Sequence, residues 1–223
     1  MEAFTNKVAH LFVVHMINTL DDTIHTRKRL LVDMLRHAED LSTDKYYQTV
    51  FCGIFMPNSN AYFSDEDRIA FSAFKEHSTS KKAPEQRKKE ILAIIMGPLA
   101  KFYEEHMTFM LQDSHNFMLR EYLSELMREG ADSQEDLIDE IVRQLKSMAT
   151  YPDGGKGPLM GHQDTHRLVK HLVRVEVEAH ENKIPFSEKV ASVITKQFEA
   201  MLPTRAVFII IELIEKAATK KLI

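Results

Sequence analysis

Arg167, Lys170 and Arg174 stand three and four residues apart, so on a helix their cationic ends form one stripe along one face. His166 and His171 flank that stripe, and Lys156 lies upstream in a glycine-rich stretch that could fold beside it. Cations at this spacing suit the neutralisation of successive phosphates, a contact whose strength falls steeply with salt. Glu176, Glu178 and Glu181 follow downstream and would offset part of the charge on a merely solvated face. A second cluster joins Lys81, Lys82, Arg87, Lys88 and Lys89, with Lys75 nearby and little acid beyond Glu85 and Glu90. It fits contact with a polyanion, a nuclear targeting signal or an exposed charged segment. Arg27-Lys28-Arg29 is a shorter run of the same kind.

Other chemistries lack their residues. A Walker phosphate loop needs Gly six positions before its Lys and Ser or Thr after it, and around Lys156 those places hold Thr150 and Gly157. His162 and His166 are four apart and could face one ion, but no third ligand has a recognisable spacing. His10/His15 and His106/His115 do no better. The adjacent acids Asp21-Asp22 and Asp139-Glu140 point in different directions on a helix, which suits caps or solvent rather than paired acid–base work. Cys52 is the single cysteine; set in Val50-Phe51-Cys52-Gly53-Ile54 it reads as a buried thiol, and it leaves no internal disulfide. Met107, Met110, Met118 and Met127 fall among core positions. The expectation is a binding protein, not an enzyme, with no cofactor and no metal.

The elements that must position these residues are helices. Seven Gly, seven Pro and no Trp suit an all-α chain, and 44% apolar residues suffice for a core. A net charge of −4 argues against a uniformly basic binder, so any polyanion contact must be local. The most apolar run, Ala206 to Ile211, is cut by Glu212 and falls short of the ~20 residues of a membrane span. One helical pattern returns at the anchors Asn6, Asp44, Asp113, His162 and Pro203. The sixth and tenth residues after each anchor are apolar: Phe12/Met16, Val50/Ile54, Leu119/Leu123, Leu168/Leu172 and Ile209/Leu213. Four apart, they share one helix face. The pattern predicts signature helices near 6–18, 44–56, 113–128, 163–181 and 204–218. Thr23 to Leu41 reads as a further helix with Ile24, Leu30, Leu31, Met34, Leu35 and Ala38 on one side. Ser64-Asp-Glu-Asp67 reads as a capped helix start, and Glu76 to Ala83 as an exposed loop. A long helix begins at Pro84, which Gly97-Pro98 should kink or split. Gly130 stops the 113–128 helix and Ser133 caps the next. Tyr151 to Gly161 holds most of the glycines and is the one clear break; helices near 163–181, 186–201 and 204–218 follow, with Pro185 and Pro203 at starts.

The anchored helices resemble Pumilio-type RNA-binding repeats, and more closely the C-terminal CPL region of the Puf-A/penguin branch. The residues carrying the resemblance are Leu20-Asp21-Asp22-Thr23, Asp44-Lys45-Tyr46, Ser80-Lys81-Lys82 with Arg87-Lys88-Lys89-Glu90, and Asp113-Ser114. The most distinctive piece is Tyr151-Pro-Asp-Gly-Gly-Lys-Gly157, with His162 and Leu168-Val169-Lys170 after it. The resemblance implies an all-α fold, a curved α-solenoid (superhelix) of Pumilio/armadillo-like helical repeats. It covers residues 1–223, with the CPL region at about 84–223. It implies sequence-tolerant binding of structured rRNA or mRNA, and of DNA, through backbone phosphates. It also implies a nuclear, nucleolar location, a part in ribosome biogenesis beside ribosome-assembly proteins, and translational repression of mRNA. A monomer is expected, with no membrane partner. Because the chain opens almost on a signature helix, it is expected to be the C-terminal half of a longer protein.

Pumilio repeats that read bases do so with the fourth, fifth and eighth residues after each anchor. Here these are His10/Leu11/Val14, Gln48/Thr49/Cys52, Phe117/Met118/Glu121, His166/Arg167/Lys170 and Val207/Phe208/Ile211. Only the fourth set is polar throughout, and its charges suit phosphate better than a base edge. Base-by-base decoding is therefore not expected. The proposed nucleic-acid contacts are Lys156 as a mobile cation, Arg167, Lys170 and Arg174 as phosphate clamps, His166 stacking or hydrogen-bonding, and the Lys81, Lys82, Arg87, Lys88, Lys89 cluster. The alternative is a protein-interaction scaffold in pre-ribosome assembly with little RNA contact.

Overall fold

The chain's repeated apolar spacing produces helices throughout a computed structural model, which describes residues 2–76, 80–112, 116–129, 135–178 and 186–220. Asp113, Ser114, His115, Gly130, Ser133, Glu181, Pro185 and the middle of the 76–83 segment lie outside the described residues, as do the side chains of Lys75 and Glu178. Two compact units result, residues 1–102 and 103–223.

The first unit orders α1 (Glu2–Thr5), α2 (Ala9–Thr19), α3 (Thr23–Thr26), a π-helical turn (Arg27–Leu31), α4 (Val32–Arg36), α5 (Ala38–Leu41), α6 (Lys45–Phe55) and α7 (Asp65–Glu76). The long α8 (Pro84–Gln112) contributes to both units. Caps set the starts. Asp44 accepts the Tyr46 and Tyr47 N–H groups at 2.9 Å each, and Ser64 and Asp67 cap one another at the head of α7. Val13, Val14 and Ile17 of α2 pack on Val50, Phe51 and Ile54 of α6 in the core. Gly53 permits that approach, since a Cβ there would meet Val14 Cγ1 at 2.7 Å.

Three expectations change here. Phe12 is 59% exposed, and the buried pair of α2 is Val13/Ile17, one residue further on. Asn6 caps Val8 and Ala9, so α2 begins later relative to its anchor than α6 does. The 23–41 helix is broken by the π-helical turn, whose extra residue per turn rotates the buried face. Thr26, Leu31, Met34 and Ala38 are buried, whereas Ile24 faces outward. Finally, Pro98 does not split α8, which runs from Pro84 to Gln112 as one helix. Ile91, Ile95, Leu99 and Tyr103 are buried on either side of the proline, and that apolar burial favours a continuous helix despite the missing N–H donor.

The second unit orders α9 (Phe117–Glu129), α10 (Glu135–Leu145), β1 (Met148–Thr150), β2 (Lys156–Pro158), a 3₁₀ turn (Leu159–Gly161), α11 (Gln163–Glu178), α12 (Phe186–Met201) and α13 (Val207–Lys220). α11 is the hub, packing against α9, α12 and α13 through Leu168, Val169, Leu172 and Val173. The expected glycine-rich break is an antiparallel hairpin, β1 with β2, pairing Met148 with Pro158 and Thr150 with Lys156. Gly154 supplies its turn with φ at +84°. Gly157 and Gly161 make room for Tyr151, whose hydroxyl donates to the Pro158 carbonyl at 2.8 Å.

Candidate nucleic-acid interface

The geometry of α11 decides which predicted residues stand together. Its last described turns and α13 lie side by side, with Glu176 paired to Lys216 in a buried contact. One turn earlier, Glu212 of α13 accepts Arg174 Nε at 2.8 Å and lies 3.8 Å from Lys170 Nζ. Arg167, at the head of α11, is exposed and lies 3.7 Å from Asp164. The three cations therefore do form one row, with Arg167 and Arg174 open to solvent and Lys170 half-buried.

His166 is not on that open row. Its side chain is buried, with its ring 6.0 Å from that of Phe208. Desolvation lowers its pKa, and Arg167 and Arg205 push the same way. At neutral pH it is an uncharged packing residue, which corrects its expected stacking or hydrogen-bonding role. Lys156 is exposed, but it belongs to strand β2, opposite Thr150 in the hairpin. That strand packs against α12, so Lys156 is a fixed strand residue, not a mobile loop cation.

The first-unit cluster divides more sharply. Arg87 is 4% exposed and donates to the carbonyls of Asn18 (2.7 Å), Leu20 (3.1 Å) and Lys82 (3.1 Å), to Asp21 (2.8 Å) and to Ser80. It ties the end of α2 to the start of α8 and, being buried, is not presented to a phosphate. Lys82 pairs with Glu90 at 2.7 Å. Glu90 is held down at about 2 by hydrogen bonds from Lys82, Gln86 and Thr23. Asp21 lies well below the usual carboxylate range because the Lys81 N–H, Ser80 and Arg87 all donate to it. Lys81 and Lys89 are exposed and Lys88 half-buried, and these three keep a place in a candidate interface. Arg27, Lys28 and Arg29 are exposed on the π-helical turn. A cleft of about 620 Å³ beside Arg87 is lined by Arg68, Phe71 and Lys88 among others, and ion pairs match its cations Arg68, Lys82 and Arg87 to Asp65, Glu90 and Asp21.

Most base-reading positions of the first three repeats are taken up by packing, whereas the fifth leaves the apolar Phe208 and Ile211 exposed. His10 is buried against Tyr46, Gln48 donates to the Ser42 carbonyl, and Val14, Cys52, Met118 and Glu121 are buried. Three residues were not assigned to the candidate interface from the sequence. Glu212 counters two of its cations, Phe208 is a half-exposed aromatic beneath Lys170 Nζ at 5.9 Å, and Arg205 is an exposed cation near His166. The spacing between α11 and α13 that brings them together is tertiary; only the apolar run from Val207 hinted that Phe208 belonged to a packed helix.

Comparison with known proteins agrees with this architecture. The model of the CPL (NUC119) domain matches residues 43–185, starting upstream of the expected boundary near 84. The chain is 26% identical over 175 residues to Protein penguin of Drosophila melanogaster, covering 74% of this chain and 23% of that one. It is 22% identical over 189 residues to Pumilio homolog 3 of Homo sapiens, covering 82% and 28%. It thus spans about a quarter of the length of these curated relatives. The crystal structure of human Puf-A in complex with DNA shares its fold, with a TM-score of 0.72 at 17% identity over 86% of this chain and 37% of that chain. The fold is that of a Pumilio-repeat helical solenoid. By its matched domain, its relatives and its fold, the chain belongs to the CPL (NUC119) domain family, in its Puf-A/penguin branch.

Proposed function

We propose that the chain holds nucleic acid through backbone phosphates, with little dependence on sequence, along the Arg167–Lys170–Arg174 row of α11. One observation carries the reading: only α11 presents cations, Arg167 and Lys170, at base-reading positions, which in the other repeats hold buried or apolar residues and the half-buried Thr49. Charge can grip a phosphate there, whereas the buried His166 presents no base edge. A fold shared with Puf-A, which was crystallised with DNA, supports the ligand class. Exposed Arg205, near His166, adds a further cation, and Lys81, Lys88 and Lys89 offer a second contact in the first unit. We further place the protein in the nucleolus, on structured ribosomal RNA beside ribosome-assembly proteins, with mRNA repression as a second role, in keeping with its family.

Fluorescence-anisotropy titration of single- and double-stranded RNA and DNA across salt tests the reading. Similar affinities for unrelated sequences and a steep fall with salt are expected. Lys170→Gln with Arg174→Gln flattens the log–log salt slope by about 0.7–0.9 for each phosphate no longer neutralised. Neutral replacements are needed because reversed charges would face Glu212. Binding insensitive to salt, or tenfold discrimination between sequences, would overturn it.

A further inference from the structure

α13 carries two apolar faces. Ala206 and Ile209 turn inward and are buried against the unit's core. On the opposite side Val207, Ile211, Ile214 and Ala218 recur at spacings of four, three and four. Ile211 is 46% exposed and Ile214 63%, with Phe208 beside them at 47%. An alternating four–three apolar spacing is the seam on which a second helix packs, and a solvent-facing seam is an association surface. One flank of this seam is net basic: Lys170 reaches the Phe208 ring and Arg167 and Arg174 lie on the same face of α11, three cations against α13's own Glu212 and exposed Glu215.

We propose that this strip docks an acidic amphipathic helix of a partner protein, its apolar residues on Ile211 and Ile214 and its carboxylates toward Arg167, Lys170 and Arg174. The basic flank selects among occupants. A second copy of the chain would bring an equally basic flank, like charge against like. A nucleic-acid strand would use the cations but find aliphatic Ile211 and Ile214, which offer bases no aromatic plane. An acidic helix uses both rows at once, its carboxylates replacing Glu212 as partner of Lys170 and Arg174. The proposal rests on α13 and stands apart from the nucleic-acid reading. Because the two ligands share cations, they compete.

The test uses the whole chain and a labelled three-heptad designed helix with a Leu seam and Glu on one flank. Control peptides replace Glu by Lys, or Leu by Gln. The Glu/Leu helix binds and the controls do not, and it displaces bound duplex RNA. Ile211→Ser with Ile214→Ser weakens peptide binding about tenfold or more while duplex RNA affinity holds. Arg167→Gln with Arg174→Gln, which leaves α13 intact, weakens the peptide similarly. Equal binding of the Gln-seam peptide, or none by the Glu/Leu helix, overturns the proposal. A concentration-dependent dimer abolished by the Ile variants gives the face to a second copy, and Ile variants that lose RNA rather than peptide give it to nucleic acid; either also overturns it. A chain that takes the Glu/Leu helix selectively yet binds no RNA supports the proposal while removing the nucleic-acid reading.

Discussion

Glu212 sets how much of the cationic row a ligand can use, since one carboxylate engages both Lys170 and Arg174. An approaching phosphate must share those cations with a fixed negative charge. Glu212 is itself only 13% exposed, whereas Arg174 and Lys170 are more open, so an isosteric amide that keeps an acceptor for Arg174 costs the fold about 1–2 kcal/mol. Glu212→Gln should therefore raise nucleic-acid affinity about fivefold at low salt and steepen the salt slope, with a modest fall in melting temperature. Unaltered titrations would show that the row does not meet phosphate. Arg87 makes the opposite case. Removing it strands the carbonyls of Asn18 and Leu20, so Arg87→Leu should destabilise the first unit by roughly 2–4 kcal/mol in urea unfolding while leaving α11 binding intact. Loss of RNA affinity without loss of stability would return Arg87 to the interface. The sequence displayed both arginines equally well. Spacing along one helix reveals a stripe of cations, but Arg87's Leu20 and Asn18 carbonyl partners lie 67 and 69 residues away in the chain and leave no local mark.

At the scale of elements, local capping and apolar period made most helices legible, and departures arose where packing overrode them. Pro98 reads as a residue that kinks or splits a helix, yet α8, with apolar burial on both sides of it, is not split there. Phe12 reads as core, yet the later start of α2 turns Val13 inward instead. The hairpin was hidden because its glycines read as flexibility, when two of them make room for the Tyr151 ring. A Cβ on Gly157 would stand 2.5 Å from the Tyr151 hydroxyl, and one on Gly161 would collide with that hydroxyl and with Thr204. Gly157→Ala should thus cost about 1–3 kcal/mol through overpacking, and Tyr151→Phe about 1 kcal/mol for its hydrogen bond to Pro158. In the Gly157→Ala/Tyr151→Ala double variant the clash partner is gone, so the two costs should be less than additive in thermal melts. Full additivity would mean that the glycine answers to something other than the ring.

For the whole molecule, charge and protonation pull binding and stability in opposite directions. The chain carries a net charge of −4 at pH 7 with an isoelectric point near 6.3, so a polyanion meets long-range repulsion at neutral pH and loses it as the pH falls. Stability follows the buried histidines. Burial lowers the pKa of His10, His15 and His166 below 6.5, so the unfolded chain takes up their protons first. The stability they contribute is complete above about pH 6.5 and is lost as the pH falls below it. Glu90, at about 2 when folded against 4.5 unfolded, and Asp21, well below its own ordinary value, extend the loss below pH 4.5. RNA affinity at constant ionic strength should consequently rise between pH 7.5 and about 6 while the melting temperature begins to fall. A second and steeper loss of stability should follow below about pH 4.5 as the Glu90 and Asp21 contacts are protonated. Anisotropy titrations and thermal melts at matched pH values measure both. If affinity instead tracked the folded fraction downward from pH 7.5, the net charge would be irrelevant to binding, and contacts other than phosphate would have to hold the ligand.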